Sequence, residues 1–153
     1  MSDNELVLER ILDAPRANVW RCWMEAELIK QWFCPKPWRV TEAVMDQRVG
    51  GSAYYLMEGP NGEKFPNRGV YLEIVPQRKI VFTDAFVSDW VPSPKAFMVS
   101  TVTMEDAPGG KTKYRATASH WSAEDREQHE KMGFHEGWGK AADQLEELAR
   151  SLK

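Results

Sequence analysis

One amphipathic helix closes a chain whose middle portion reads as β-structure, and that pairing leaves few folds open. Short β-like runs, roughly 38–46, 51–58, 69–75, 79–86, 96–105 and 111–120, are separated by turn signals: VGG at 49–51, EGPNGEKFPNRG at 58–69, VPQR at 75–78 and DAPGGK at 106–111. Most connections are hairpin-length, so the strands pair antiparallel. In the last run Thr112, Tyr114, Ala116, Ala118 and His120 alternate with Lys113, Arg115, Thr117 and Ser119, which turns the first set inward. Ser122 to Asp125 reads as a capping box, and from there one helix is expected to run to Lys153. Along it Phe134, Trp138, Ala141, Leu145, Leu148 and Leu152 recur at spacings of 4, 3, 4, 3 and 4. Such a stripe has to be buried against the sheet.

The N-terminal part supplies one more strand and a helix pair. Residues 6–13 alternate and stop at Ala14-Pro15, which predicts a strand followed at once by a helix with proline in its first turn and Asp13 placed to cap it. Val19, Trp20, Trp23 and Met24 recur at helical spacing, and a second short helix through Leu28, Ile29 and Trp32 ends at Pro35 and Pro37. The reading is an α+β fold with seven strands in a single domain, 1–153. With 42% hydrophobic and 28% charged residues and no apolar run of ~18, a soluble protein without a membrane span is expected. A net charge of −3 with interspersed signs offers no basic stripe for nucleic acid. The start MSDNELVLER has neither the basic nor the apolar segment of a secretory signal, which points to the cytoplasm, where Cys22 and Cys34 are expected as reduced core thiols.

Gly133, Gly137 and Gly139 interrupt the final helix, each at a cost of ~1 kcal/mol relative to alanine. Gly133, Gly137 and Ala141 fall at i, i+4 and i+8, beside the Phe134–Trp138 stripe. Two accounts fit this spacing: close backbone approach to another element, or a gap left between helix and sheet. The chain also carries seven Trp, six Phe, four Tyr and seven Met, a heavy load of large and adaptable side chains. A sheet lined by Tyr55, Met57, Tyr71, Phe82 and Tyr114, facing a helix bare at its centre, has the makings of an apolar pocket.

The order of elements, with the stretches LERILDAPRANVWRCWMEAELIKQWFCP, AVMDQRVGGSAYYLM, GVYLEIVPQRKIVFTD and HEKMGFHEGWGKAADQLEEL, resembles the START-like (SRPBCC) superfamily. More narrowly it is similar to the activator of heat-shock-protein-90 ATPase homologues, over nearly the whole chain. The matches are DAP-x4-W, the WF-x-P end of the helix pair, D-x-R-V-G-G, EIVP-x-R and the GW of the last helix. The resemblance implies a helix-grip fold, a curved seven-stranded sheet wrapped around the last helix and enclosing a cavity that in relatives often takes hydrophobic molecules. With it, the gap becomes the favoured account of the glycines. The residues expected to line it are Trp32 and Phe33, Tyr55, Met57, Tyr71, Phe82 and Tyr114, His120, and Phe134, Gly137, Trp138 and Ala141.

Chemistry is harder to find. His129-Glu130 and His135-Glu136 begin like HExxH, but no second His follows one turn on, so no metal is expected. His120 turns inward near the expected entrance, either to meet a ligand or to be satisfied by a backbone carbonyl. Glu73 and Asp84 could polarise a ligand or simply pair at the surface. No GxSxG, GxGxxG or GxxxxGK[ST] occurs, no cofactor is expected, and Gly50-Gly51 reads as a tight hairpin connection. Trp90, in FVSDWVPSPKAF at 86–97, either stands out as an anchor or folds back on its own loop. The expected function is binding of an aromatic, polyketide-like or lipid-like molecule by a monomer or homodimer. A cyclase-like enzyme using the same cavity, and a co-chaperone activating a heat-shock ATPase, are the alternatives.

Overall fold

A computed structural model describes residues 4–94 and 96–152. Strand β1 (Glu5–Leu12) is followed by α1 (Arg16–Met24) and α2 (Ala26–Ile29), then β2 (Arg39–Met45), β3 (Ser52–Glu58), β4 (Lys64–Val75) and β5 (Lys79–Thr83). A small hairpin, β6 (Phe86–Ser88) and β7 (Val91–Pro92), precedes β8 (Met98–Ala107), β9 (Lys111–His120), α3 (Ala123–Lys131) and α4 (Phe134–Ser151). Seven strands form one antiparallel sheet in the order β1-β9-β8-β5-β4-β3-β2, with β6 and β7 as a separate pair. Bulges at Thr41 in β2 and Leu72 in β4 break the register and raise the local twist, which curls the sheet around α4.

The core lies where α4 meets α1 and β1. Ala142, Leu145 and Ala149 of α4 are buried together with Val19 and Cys22 of α1 and Leu6, Leu8 and Leu12 of β1. Each fully buried Leu stabilises by about 2 kcal/mol. The inward set of β9, Thr112 to His120, is buried throughout, as the alternation predicts.

Several expectations need correction. The last helix is two helices, because Gly133 has φ +97 and sits between α3 and α4 as the N-cap of α4. That left-handed conformation is open to glycine at little cost and ends α3 while starting α4 on a new axis. Lys153, the expected helix end, lies outside the described residues. Ser122 does cap α3, its Oγ accepting from the Asp125 N–H at 3.1 Å. Asp13 caps nothing: Pro15 is the N-cap of α1, and the Asp13 carboxylate lies 3.7 Å from Arg150 instead. The stretch 58–69 is not all turn, since β4 already starts at Lys64. Its first residues pair only with β3, while β5 joins from Val70 on, so Pro66 occupies a one-sided position where proline is tolerated.

Gly50-Gly51 is more than a hairpin connection. The Gly50 N–H donates to the Tyr71 carbonyl at 2.8 Å and the Tyr71 N–H to the Gly51 carbonyl at 3.0 Å, so the turn is stitched onto β4. A Cβ on Gly51 would lie 1.9 Å from the Asp46 carbonyl oxygen, which excludes any side chain there. Trp90 folds back on its loop, its ring 5.4 Å from that of Phe86, yet stays 49% exposed.

Candidate functional site

Between the concave sheet face and the N-terminal half of α4 lies a cavity of about 430 Å³. That falls within the usual range for small-molecule sites. The three glycines of the sequence turn out to have three different causes. Gly133 turns the chain; a Cβ on Gly139 would come within 2.8 Å of the Arg10 guanidinium; at Gly137 a Cβ would meet nothing within 4 Å. Gly137 therefore faces the open cavity.

Of the residues expected at the site, Trp32 and Phe33 line the cavity from the segment after α2, Tyr55, Met57, Phe82 and Tyr114 from the sheet, and Gly137, Trp138 and Ala141 from α4. Trp23, contributed by α1, joins them: its ring lies 5.0 Å from Trp32, 5.8 Å from Phe33 and 5.7 Å from Phe82. Phe33 in turn packs 4.7 Å from Tyr55. The wall is thus a continuous aromatic cluster whose rings present flat, weakly polar surface.

Three expected residues do not line it. Tyr71 is buried against Tyr55 in the corner where the Gly50-Gly51 turn docks on β4, just before the Leu72 bulge. Phe134 opens α4 and is sealed under Trp138 and His129, with ring centroids at 4.5 and 5.3 Å. His120 stands behind His129, and it is His129 that reaches the cavity. A continuous final helix would put residue 129 roughly 140° around from Phe134, on the outer face. The break at Gly133 reorients α3 and turns His129 inward, 8% exposed, against Phe97, Phe134 and Trp138.

Burial favours the neutral form of several polar groups in the cavity wall. Burial pushes the phenols of Tyr55 and Tyr114 up, and the Cys34 thiol up to about 11. Trp23 Nε1–H donates to the Tyr114 hydroxyl at 3.3 Å. Burial, and then the neighbouring His120, bring His129 down to about 4. Asp84, one of the two acidic candidates, lines the cavity but spends Oδ1 on the N–H groups of Phe97 and Met98, at 2.8 and 3.1 Å, fixing the start of β8. Glu73 pairs with Lys79 at 3.1 Å, away from the cavity. Exposed lining residues are Asn67 and Arg68 of β4 and the apolar Met132 at the α3–α4 junction. Among the described residues no group of three or more His, Cys, Asp or Glu stands together as a metal site.

One side chain that the sequence reading overlooked fixes the wall at 32–35. Gln144 Nε2 donates to the carbonyls of Trp32 and Cys34, both at 2.9 Å, and its Oε1 accepts from the Lys36 N–H at 3.0 Å. Replacing Gln144 by alanine is expected to cost about 1–2 kcal/mol, the net worth of such bonds. Urea unfolding gives that loss, and hydrogen exchange is expected to speed up at residues 32–36 while β9 stays protected.

A curved antiparallel sheet gripping a C-terminal helix over an aromatic cavity is the helix-grip architecture of START-like proteins. The family model for Activator of Hsp90 ATPase homolog 1-like proteins matches residues 13–150, and the chain belongs to that family. A crystal structure of a Nitrosomonas europaea protein is similar at 40% identity and TM-score 0.93, covering 97% of this chain and 95% of that one. A Mycobacterium smegmatis protein aligns at 23% identity and TM-score 0.81, over 99% and 93% of the two chains. An AHSA1-like protein from Aeromonas hydrophila aligns at 18% identity and TM-score 0.71, over 94% and 90%, a likeness of fold. No curated protein matches the chain significantly. No described helix is long and apolar enough to cross a membrane.

Proposed function

We propose that this protein binds a hydrophobic small molecule, aromatic, polyketide-like or lipid-like, between the sheet and α4. The observation that carries the reading is the open space at Gly137, on the edge of a cavity of about 430 Å³ walled by aromatic rings. Glycine inside a helix is disfavoured by up to ~1 kcal/mol, and early in α4 that cost has no packing return where a side chain would meet only empty space. Burying ligand surface at ~25 cal/mol per Å² supplies the affinity. The neutral state of Tyr55, Tyr114 and His129 suits an uncharged ligand. Free, buried Cys22 and Cys34 suit a reducing compartment such as the cytoplasm.

The test is a panel of fatty acids, flavonoids and polycyclic aromatics followed by amide NMR. The reading expects at least one class to bind with shifts clustered at Trp32, Tyr55, Phe82 and Gly137. Absence of any shift at these positions across the panel would reject it. Recovery of a chemically altered compound would point instead to the cyclase-like enzyme.

A further inference from the structure

His129 and His120 form a buried pair whose hydrogen bonds run in one direction. His120 Nδ1 lies 2.8 Å from the Asn4 carbonyl oxygen, which can only accept, so Nδ1 carries the proton. In neutral His120 the other nitrogen, Nε2, is then a lone pair. It lies 2.9 Å from His129 Nδ1, which must therefore be the donor. With its proton on Nδ1, neutral His129 has an unprotonated Nε2 on the opposite edge of the ring. Among the described residues nothing bonds to that nitrogen, although the ring is buried and forms part of the cavity wall. A ligand that fills the cavity strips solvent from this acceptor, at a free-energy cost that only a donating ligand recovers.

We propose that the cavity selects aromatic compounds bearing a free hydroxyl group, whose O–H donates to His129 Nε2. The inference rests on the binding function proposed above and adds its selectivity. An anionic group does not serve: a carboxylate brings only acceptors to an acceptor, and burial keeps His129 from answering with a proton. Flat rings fit the aromatic wall, with Phe97 and Trp138 packed on His129 at 5.0 and 5.9 Å to set its orientation. Asn4 and His120 act as positioning groups, since they fix which nitrogen of His129 faces the ligand.

Two measurements test this. Long-range proton–nitrogen NMR of histidine-labelled protein at neutral pH is expected to find both His120 and His129 protonated on Nδ1. A His129 protonated on Nε2 would overturn the proposal. Fluorescence titration with 9-phenanthrol and its methyl ether is expected to favour the phenol by about tenfold, the effect of leaving one buried acceptor unpaired. That ratio is expected to fall to near one in His129→Phe and to persist in His129→Gln, whose amide oxygen reaches a similar point. Equal binding of phenol and ether to the wild-type protein, or an unchanged ratio in His129→Phe, would overturn the selectivity while leaving the binding function intact. Failure of both compounds, alongside failure of the wider panel, would remove both.

Discussion

Gly137→Leu is expected to lower affinity for any ligand seated against α4 by about 100-fold while making the protein more stable. The two effects have opposite signs because the same void is involved. A leucine at position 137, in the first turn of α4, enters space where a Cβ meets nothing within 4 Å, so it packs without strain against the aromatic wall. It also removes the ~1 kcal/mol penalty of helical glycine. A ligand then has to displace or overlap that side chain, and overpacking of this kind costs ~1–3 kcal/mol or more. Gly137→Ala separates the terms: it is expected to stabilise by about 1 kcal/mol and to leave binding nearly unchanged. Thermal melting and titration of the same two variants provide the check. A leucine variant that binds as the wild type does would place the ligand elsewhere.

The second large effect is a loss of stability in mild acid that traces to His129. Its folded-state value, about 4, lies below the ordinary 6.5 because burial, and then His120, disfavour the imidazolium. Below pH 6.5 the unfolded chain takes up a proton on this residue while the folded protein does not. Stability contributed by neutral His129 is therefore fully present above pH 6.5 and lost as the pH falls towards 4. The slope is at most about 1.4 kcal/mol per pH unit, which accumulates to roughly 2–3 kcal/mol. Of the rings packed on His129, only that of His120 is ionisable, and it adds to burial in disfavouring the His129 imidazolium. Urea unfolding of wild type and His129→Gln from pH 7.5 to 4 is expected to differ in slope by about one proton in this window. Parallel curves would show that His129 keeps its ordinary affinity for protons.

What the sequence made legible was whatever depends on simple periodicity. Alternation oriented β9, hairpin spacing gave the seven antiparallel strands, and the stripe from Phe134 to Leu152 identified the helix face against the sheet. What escaped depends on where the chain changes direction. Gly133 lies inside an apparently unbroken helical pattern, and only its left-handed backbone reveals that α3 and α4 have separate axes. That one misreading hid His129; His120, turned inward by the alternation of β9, is buried as expected but stands one ring behind the cavity wall. The opening of β4 was masked by Pro66, Asn67 and Gly69, turn formers that follow the true turn at Pro60, Asn61 and Gly62, although a strand paired on one side can hold them. Gln144 gave no signal, since a glutamine bridging three backbone groups looks like any polar residue on a helix flank.

The part of β4 that projects past β5 has a consequence for how this scaffold can diversify. Asn67 and Arg68 border the entrance, yet they belong to a two-stranded flap whose backbone bonds are satisfied by β3 alone. Their side chains can be exchanged without disturbing the gripped helix or the ring cluster beneath it. On the proposed binding function, admission and retention fall to separate pieces of the molecule, and a lineage could alter the guests it lets in while keeping the chamber that holds them.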